Sequence, residues 1–251
     1  MSASISGRMI TLEGLNQIPC PAPSGIWKPI PHRTIVDTVL DTLAEQGIGY
    51  SPDSLKMATN RERTVVLGAV DVALPSVTPS PEQTFSVGFR SSINKSVAVK
   101  IMLGTRVFIC DNGMMVGDSV ASLHKRHTIN LDLREEFIDT IAAFHSIAQA
   151  ANRRTEELQN HNIAFDQGCE MLFKAVGADA LPKSRLLHAY EQWDFNYHQS
   201  EKALIEHPGT AWALQQSITA EWKHQIMLAL EWRSNNLSNF MGEIVPVRLV
   251  A

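Results

Sequence analysis

An α+β fold, with an antiparallel β-meander in the first half packed against a long helix and a helical C-terminal half, follows from three features of the 251-residue sequence. Hydrophobic residues alternate with period two between Tyr50 and Val116 and follow helical spacing on either side. Asp111-Asn112-Gly113 lies between two apolar runs, and Asp132 with Glu135 opens a long stretch of helical period.

The lead-in holds Pro19, Pro21, Pro23, Pro29 and Pro31 together with Gly14 and Gly25. That density of breakers predicts an extended arm over 1–32, and Ile26 and Trp27 within it suggest that the arm packs on something. One α+β domain is then expected over 33–251, with the sheet at 50–120 and helices at 131–245. Ile35, Val36, Val39, Leu40 and Leu43 form an apolar stripe that predicts a helix over 33–46, with Thr34 as N-cap and Gly47 as its end.

In the meander, residues 64–74 are rich in β-branched side chains. Phe85, Val87 and Phe89 alternate with Ser86, Gly88 and Arg90, and Val97, Val99, Ile101 and Leu103 alternate with Ala98, Lys100 and Met102. Strands at 85–93 and 97–103 follow, each with one apolar face. Asn94, Lys95 and Ser96 read as the turn of one hairpin. Asp111, Asn112 and Gly113 read as that of another, because Asn-Gly tolerates the positive φ a tight turn demands. Beyond Asp132, Phe137, Ile141, Phe144, Ala148, Ala151, Thr155 and Leu158 predict one helix of about 28 residues, on the order of 40 Å long. Further helices are expected at 165–176, closed by Gly177, and at 183–205, 209–224 and 225–240.

The formal net charge of −4 offers no global attraction to polyanions. It is distributed unevenly: 12 Lys+Arg against 10 Asp+Glu in residues 1–130, and 10 against 16 in 131–251. An anion-binding face, if present, belongs to the first half. Cys20, Cys110 and Cys169 are far apart and make no CxxC pair, which predicts reduced thiols and a cytoplasmic setting rather than a zinc ribbon or disulfide framework. No apolar run approaches the ~20 residues of a membrane span, and the N-terminal segment lacks a signal-type apolar core.

His124 and His127, three apart and with Cys110 as a third ligand, could suit a metal. No carboxylate stands beside them at ligand spacing, so the expectation is a basic connector and no metal or other cofactor. Nucleophile-elbow and phosphate-loop patterns are missing from the sequence, and no catalytic residue is assigned. If the apolar sheet face is buried, Arg90 and Lys100 point the other way, and Arg106 and Phe108 share a face by period two. Cations that track phosphates beside a ring that stacks bases make a single-strand nucleic-acid surface. The expected groove is lined by Arg90, Lys95, Lys100, Arg106, Phe108, Lys125, Arg126 and His127. Trp193, Tyr197, Trp212, Trp222 and Trp232 read as core or interface packing.

The stretch Ser86–Thr128, SVGFRSSINKSVAVKIMLGTRVFICDNGMMVGDSVASLHKRHT, resembles the phage- and plasmid-like proteins of domain-of-unknown-function family 932. The matching residues are Arg90, Ser92, Lys95, Ser96, Val107, Phe108, Cys110, Asp111, Asn112, His127 and Thr128. Pro31-His32 and Thr210–Thr219 also resemble the family. Ser91 and Asn94 depart from it, standing where the family has Asn and Asp. The matched residues suit a turn network in which Asn94, Lys95 and Ser96 close one hairpin, Asp111, Asn112 and Gly113 close the other, and His127 bonds across. The resemblance implies a setting among mobile elements but no activity. The expected function is non-enzymatic, oligomeric binding of single-stranded DNA. The rival is a protein-interaction factor that modulates a host defence or replication protein through the Trp-bearing helices.

Overall fold

The computed structural model describes residues 8–75, 77–79, 83–107, 122–198, 207–224 and 227–246. The fold is α+β, an antiparallel sheet in the first half and helices in the second. Chain contacts divide it into two compact units, residues 1–106 with 119–149, and residues 107–118 with 150–251. The sequence, read as one domain over 33–251, gives no sign of this boundary, because helical periodicity runs straight through it.

In the first unit the strands are β1 (Arg8–Met9), β2 (Gly49–Tyr50), β3 (Lys56–Thr59), β4 (Val65–Ala73), β5 (Gln83–Ser92), β6 (Val99–Val107) and β7 (Ser122–Lys125). Their order across the sheet is β1-β3-β4-β5-β6-β7, with β2 paired to β4. The lead-in is less irregular than its prolines suggest. Arg8 and Met9 pair with Thr59 and Ala58, and Thr11 caps a short helix, α1 (Leu12–Asn16), by accepting from the Gly14 N–H at 3.2 Å. The Asp111-Asn112-Gly113 turn, with Phe108 and Cys110, lies outside the described residues.

Register decides which side chains meet. Val72, Val70 and Gly68 stand opposite Phe85, Val87 and Phe89, while Asp71, Ala69 and Leu67 stand opposite Ser86, Gly88 and Arg90. The first set, with Val99, Ile101, Leu103 and Leu123, is buried in one core with Ile35, Val36, Val39 and Leu43 of α2 (His32–Glu45) and with Leu133, Phe137 and Ile141 of α3 (Leu133–Ala142). Helix α2 starts earlier than the Thr34 cap expected: Pro31 holds the N-cap position with no capping side chain. Its end is as expected, with Gly47 in the left-handed region at φ 71°.

The single long helix expected from Asp132 is two. Asp132 does cap α3, accepting from the Arg134 and Glu135 N–H groups at 3.1 Å. The α-helical ladder then breaks at Ala143, whose N–H turns back to the Thr140 carbonyl at 3.2 Å, and α4 (Phe144–Gln159) follows. Just before the break Thr140 also donates its hydroxyl to the Glu136 carbonyl at 2.9 Å. Periodicity cannot reveal such a break, since apolar spacing continues across it.

The second unit contains α5 (Phe165–Gly177), α6 (Leu186–His198), α7 (Ala211–Ala220) and α8 (Met227–Ile244). Gly177 lies inside α5 rather than beyond it, and Asp179 takes the left-handed turn at φ 56°. Trp193, Trp212 and Trp222 are fully buried core residues. Trp193 and Trp222 donate their indole N–H to the Phe165 and Ala180 carbonyls at 3.1 and 3.0 Å. Buried Arg154 ends α8 by donating to the Val245 and Met241 carbonyls at 2.6 and 2.9 Å, a cation on the negative end of a helix dipole.

A close approach in β4 is testable. A Cβ on Gly68 would meet the Phe89 ring at 2.3 Å, so Gly68→Ala should destabilise the protein by about 1–3 kcal/mol, read as a lowered midpoint in urea denaturation.

Candidate nucleic-acid interface

The polar residues that the sequence singled out converge at one end of the sheet, where the β3–β4 and β5–β6 hairpins turn. Asn60 builds the first tip: its carbonyl oxygen accepts from the Val65 N–H at 2.9 Å, and its amide donates to Glu62 and Thr64 at 2.9 and 3.0 Å. Asn94 builds the second and joins the two. Its carbonyl oxygen accepts from the Ser96 N–H at 3.1 Å, and its amide donates to Thr64 Oγ1 at 3.1 Å. Ser92 Oγ closes the same turn by donating to the Val97 carbonyl and accepting from the Val97 N–H, at 2.8 and 3.0 Å.

Two histidines lie beneath these tips. His127 Nδ1 accepts from the Ile30 N–H at 3.2 Å. That bond fixes the proton on Nε2, which therefore donates to Ser91 Oγ at 3.0 Å. His32 Nε2 lies 3.2 Å from the Arg63 carbonyl, which can only accept, so it too carries its proton on Nε2. Both rings are buried, at 4% and 2% exposure. Burial pushes both pKa values below the ordinary imidazole value; for His32 the Arg63 carbonyl partly opposes this and the neighbouring His127 adds to it.

The exposed layer is basic. Segments 24–31, 60–64, 93–97 and 126–129 hold five cations, Lys28, Arg61, Arg63, Lys95 and Arg126, against one carboxylate, Glu62. All five cations are exposed. Lys95 Nζ lies 4.6 Å from the Trp27 ring centroid. Arg63 and Lys95 both take positive φ, 55° and 68°. Left-handed backbone is unfavourable for long side chains, and here it occurs at the crests of two joined hairpins.

The groove expected from the sequence is thus divided. Arg90 and Lys100 lie on the sheet face opposite the core, as alternation requires, but are half-buried and already engaged by neighbours. Lys125 stands opposite Val99, on the helix-covered face, and pairs with Glu136 of α3 at 2.6 Å. His127 is a buried, neutral ring and supplies no cation at neutral pH. Arg126 and Lys95 are exposed in the tip layer. Arg106 is the last residue but one of β6, while Phe108, Asp111, Asn112 and Gly113 are outside the described residues. Sequence reasoning missed Asn60, Arg61, Arg63 and the role of His32. The pre-strand run Asn60-Arg-Glu-Arg-Thr64 was the available signal. His124 is exposed in β7 while His127 is buried, so the two do not converge on a metal. No three His, Cys, Asp or Glu side chains converge among the described residues, nor is any described helix long and apolar enough to cross a membrane.

Sheet, helices and polar hairpin-tip network define an α+β protein with a basic edge. The chain belongs to the family described as domain of unknown function DUF932, whose profile matches residues 84–240. Comparisons with curated proteins and with solved structures return no match. Ser91 and Asn94 both sit inside the network: one holds His127, the other joins the tips.

Removing the Ser91 hydroxyl leaves His127 Nε2–H unpaired in a buried site. Ser91→Ala should therefore cost about 1–3 kcal/mol in thermal or denaturant unfolding, more than an exposed serine such as Ser96 would.

Proposed function

We propose that this chain is a non-enzymatic nucleic-acid-binding protein that grips the phosphates of single-stranded DNA with the hairpin-tip cations. The observation that carries this reading is the pairing of strain with charge: Arg63 and Lys95 crest adjoining tips in left-handed backbone, and both are exposed. Backbone strain of that kind persists where surrounding structure enforces it and often marks functional positions. Arg61, Lys28 and Arg126 extend the basic layer, and Trp27 supplies an aromatic surface beside it. The overall charge of −4 makes binding a local affair, so affinity should fall steeply with salt. The resemblance to phage- and plasmid-like proteins supports a setting in mobile elements, where single strands are generated, and a cytoplasmic location.

A second reading has its own observation. Phe173 of α5 and Leu187 of α6 are 67% and 65% exposed, apolar surface of the kind that protein partners cover. In this reading the helical unit engages a host defence or replication protein, or a second copy of the chain.

Fluorescence anisotropy of labelled single-stranded and duplex oligonucleotides at two salt concentrations tests the first reading. Micromolar or tighter single-strand binding is expected. Arg63→Gln with Lys95→Gln should weaken it and flatten the log–log salt slope by about 1.4, or 0.7 for each lost phosphate contact on a single strand. Absence of binding at low salt, or an unchanged slope in the double variant, rejects it. Loss of a stoichiometric partner on Phe173→Ser with Leu187→Ser would instead support the second.

A further inference from the structure

Segment 24–31 crosses the basic end of the sheet as a strap. Ser24 and Trp27 exchange backbone bonds at 2.9 and 3.1 Å across Gly25, closing a small loop. The strap is then tied to the strand-like run after β7. The Lys28 N–H donates to the His127 carbonyl at 3.3 Å, the Ile129 N–H donates to the Ile26 carbonyl at 3.0 Å, and the Ile30 N–H donates to His127 Nδ1 at 3.2 Å. Pro29 is buried beneath, and Trp27 carries Lys95 on its ring. Of these ties only that from the Ile30 N–H to His127 Nδ1 ends on an atom that can take a proton.

We propose that His127 is a pH-sensitive latch for this strap. It holds the Ile30 N–H while its Nδ1 is unprotonated, and it releases the segment carrying Trp27 and Lys28 when Nδ1 is protonated. The chemistry follows from the bond inventory. An imidazolium has a donor on each nitrogen and no acceptor. Protonated Nδ1–H would face the Ile30 N–H, donor against donor, in a site where the ring is 4% exposed. The Ser91 contact survives, because Nε2 already carries hydrogen and only donates.

Burial is what opposes a charge on His127. On the packed elements Arg33 and Asp37 pair with each other, Arg134 pairs with Glu45, Asp132 caps α3 and the Cys20 thiol donates to the Pro29 carbonyl. The remaining charged and titratable groups nearby are Lys28 on the strap, His32 on α2, Arg61 and Arg63 with Glu62 at the β3–β4 tip, Lys95 at the β5–β6 tip, and Lys125 and Arg126 on its own segment. Glu62 is engaged by Asn60 and Lys125 by Glu136. Burial holds the His127 pKa below its ordinary value, so the unfolded chain binds the proton more readily than the folded one. The latch's contribution to stability is thus complete above the ordinary imidazole range, about pH 6.5, and is lost as pH falls through the lower folded value. The inference does not depend on the nucleic-acid reading: the strap can open whether or not the basic layer binds DNA.

Trp27 reports the latch, since the other four tryptophans, Trp193, Trp212, Trp222 and Trp232, all belong to the second unit. The experiment is tryptophan emission of the full chain from pH 8 to pH 4.5, with a Trp27→Phe variant subtracted and far-UV circular dichroism recorded alongside. The expected result is a red shift of the Trp27 component at acid pH before helix content falls. In His127→Asn, whose amide oxygen can accept from the Ile30 N–H and does not titrate, that component should stay constant across the same range. A Trp27 signal that is flat in the wild type, or that shifts identically in His127→Asn, overturns the proposal; the second outcome would move the titration to His32 or to a carboxylate. If His127→Asn fails to fold, 15N-resolved pH titration of the wild-type His127 ring and the Ile30 amide decides instead. Both must move at one midpoint, and different midpoints overturn the latch.

Discussion

The basic end of the first unit depends on one neutral imidazole. His127 receives a backbone N–H from the strap on one side and gives its own N–H to Ser91 of β5 on the other, so a segment near residue 30 and a strand near residue 90 are joined through a ring from residue 127. Contacts so distant in sequence cost chain entropy to form and must be offset by burial. That is why the ring is enclosed and why its bonds are fully specified. With the ring in place, the strap lies across the tips, Trp27 meets Lys95, and the two hairpins share Thr64 through Asn60 and Asn94.

Charge sits at the tips rather than on the sheet face for a related reason. The outward face of the central strands carries small residues, Ala69, Ser86 and Gly88, with half-buried Arg90 and Lys100 among them, and its one acidic member, Asp71, accepts from Ser86 at 2.7 Å. On such a face the charged side chains are engaged by neighbours rather than held out in water. A hairpin crest has few neighbours, so Arg61, Arg63 and Lys95 keep their charges in water, where a polyanion could reach them. The neutral histidines below add structure without adding charge.

The α+β class, the sheet over the middle of the chain, the Asp132 cap and the Gly47 terminus were legible in the sequence because each has a local cause: a period, a cap or a left-handed glycine. The Asn94–Ser96 turn was legible in its turn residues, whereas His127, expected to bond across the hairpin turns, bonds Ser91 Oγ and the Ile30 N–H instead. What stayed hidden depends on pairing at long range. Alternation placed Arg90 and Lys100 on the outward face but could not show that neighbours engage them. It could not reveal that Lys125 turns to Glu136, or that Ala143 breaks a helix whose apolar spacing never falters. His127 was read as a basic contact, since a sequence gives residue type and only the fold gives burial.

Imidazole 15N chemical shifts, correlated with the ring carbon-bound protons at neutral pH, measure the central feature directly. A neutral His127 with its proton on Nε2 and a bare, hydrogen-bonded Nδ1 is the predicted state. A ring protonated on Nδ1, or an imidazolium at neutral pH, would contradict the account, because neither could accept the Ile30 N–H.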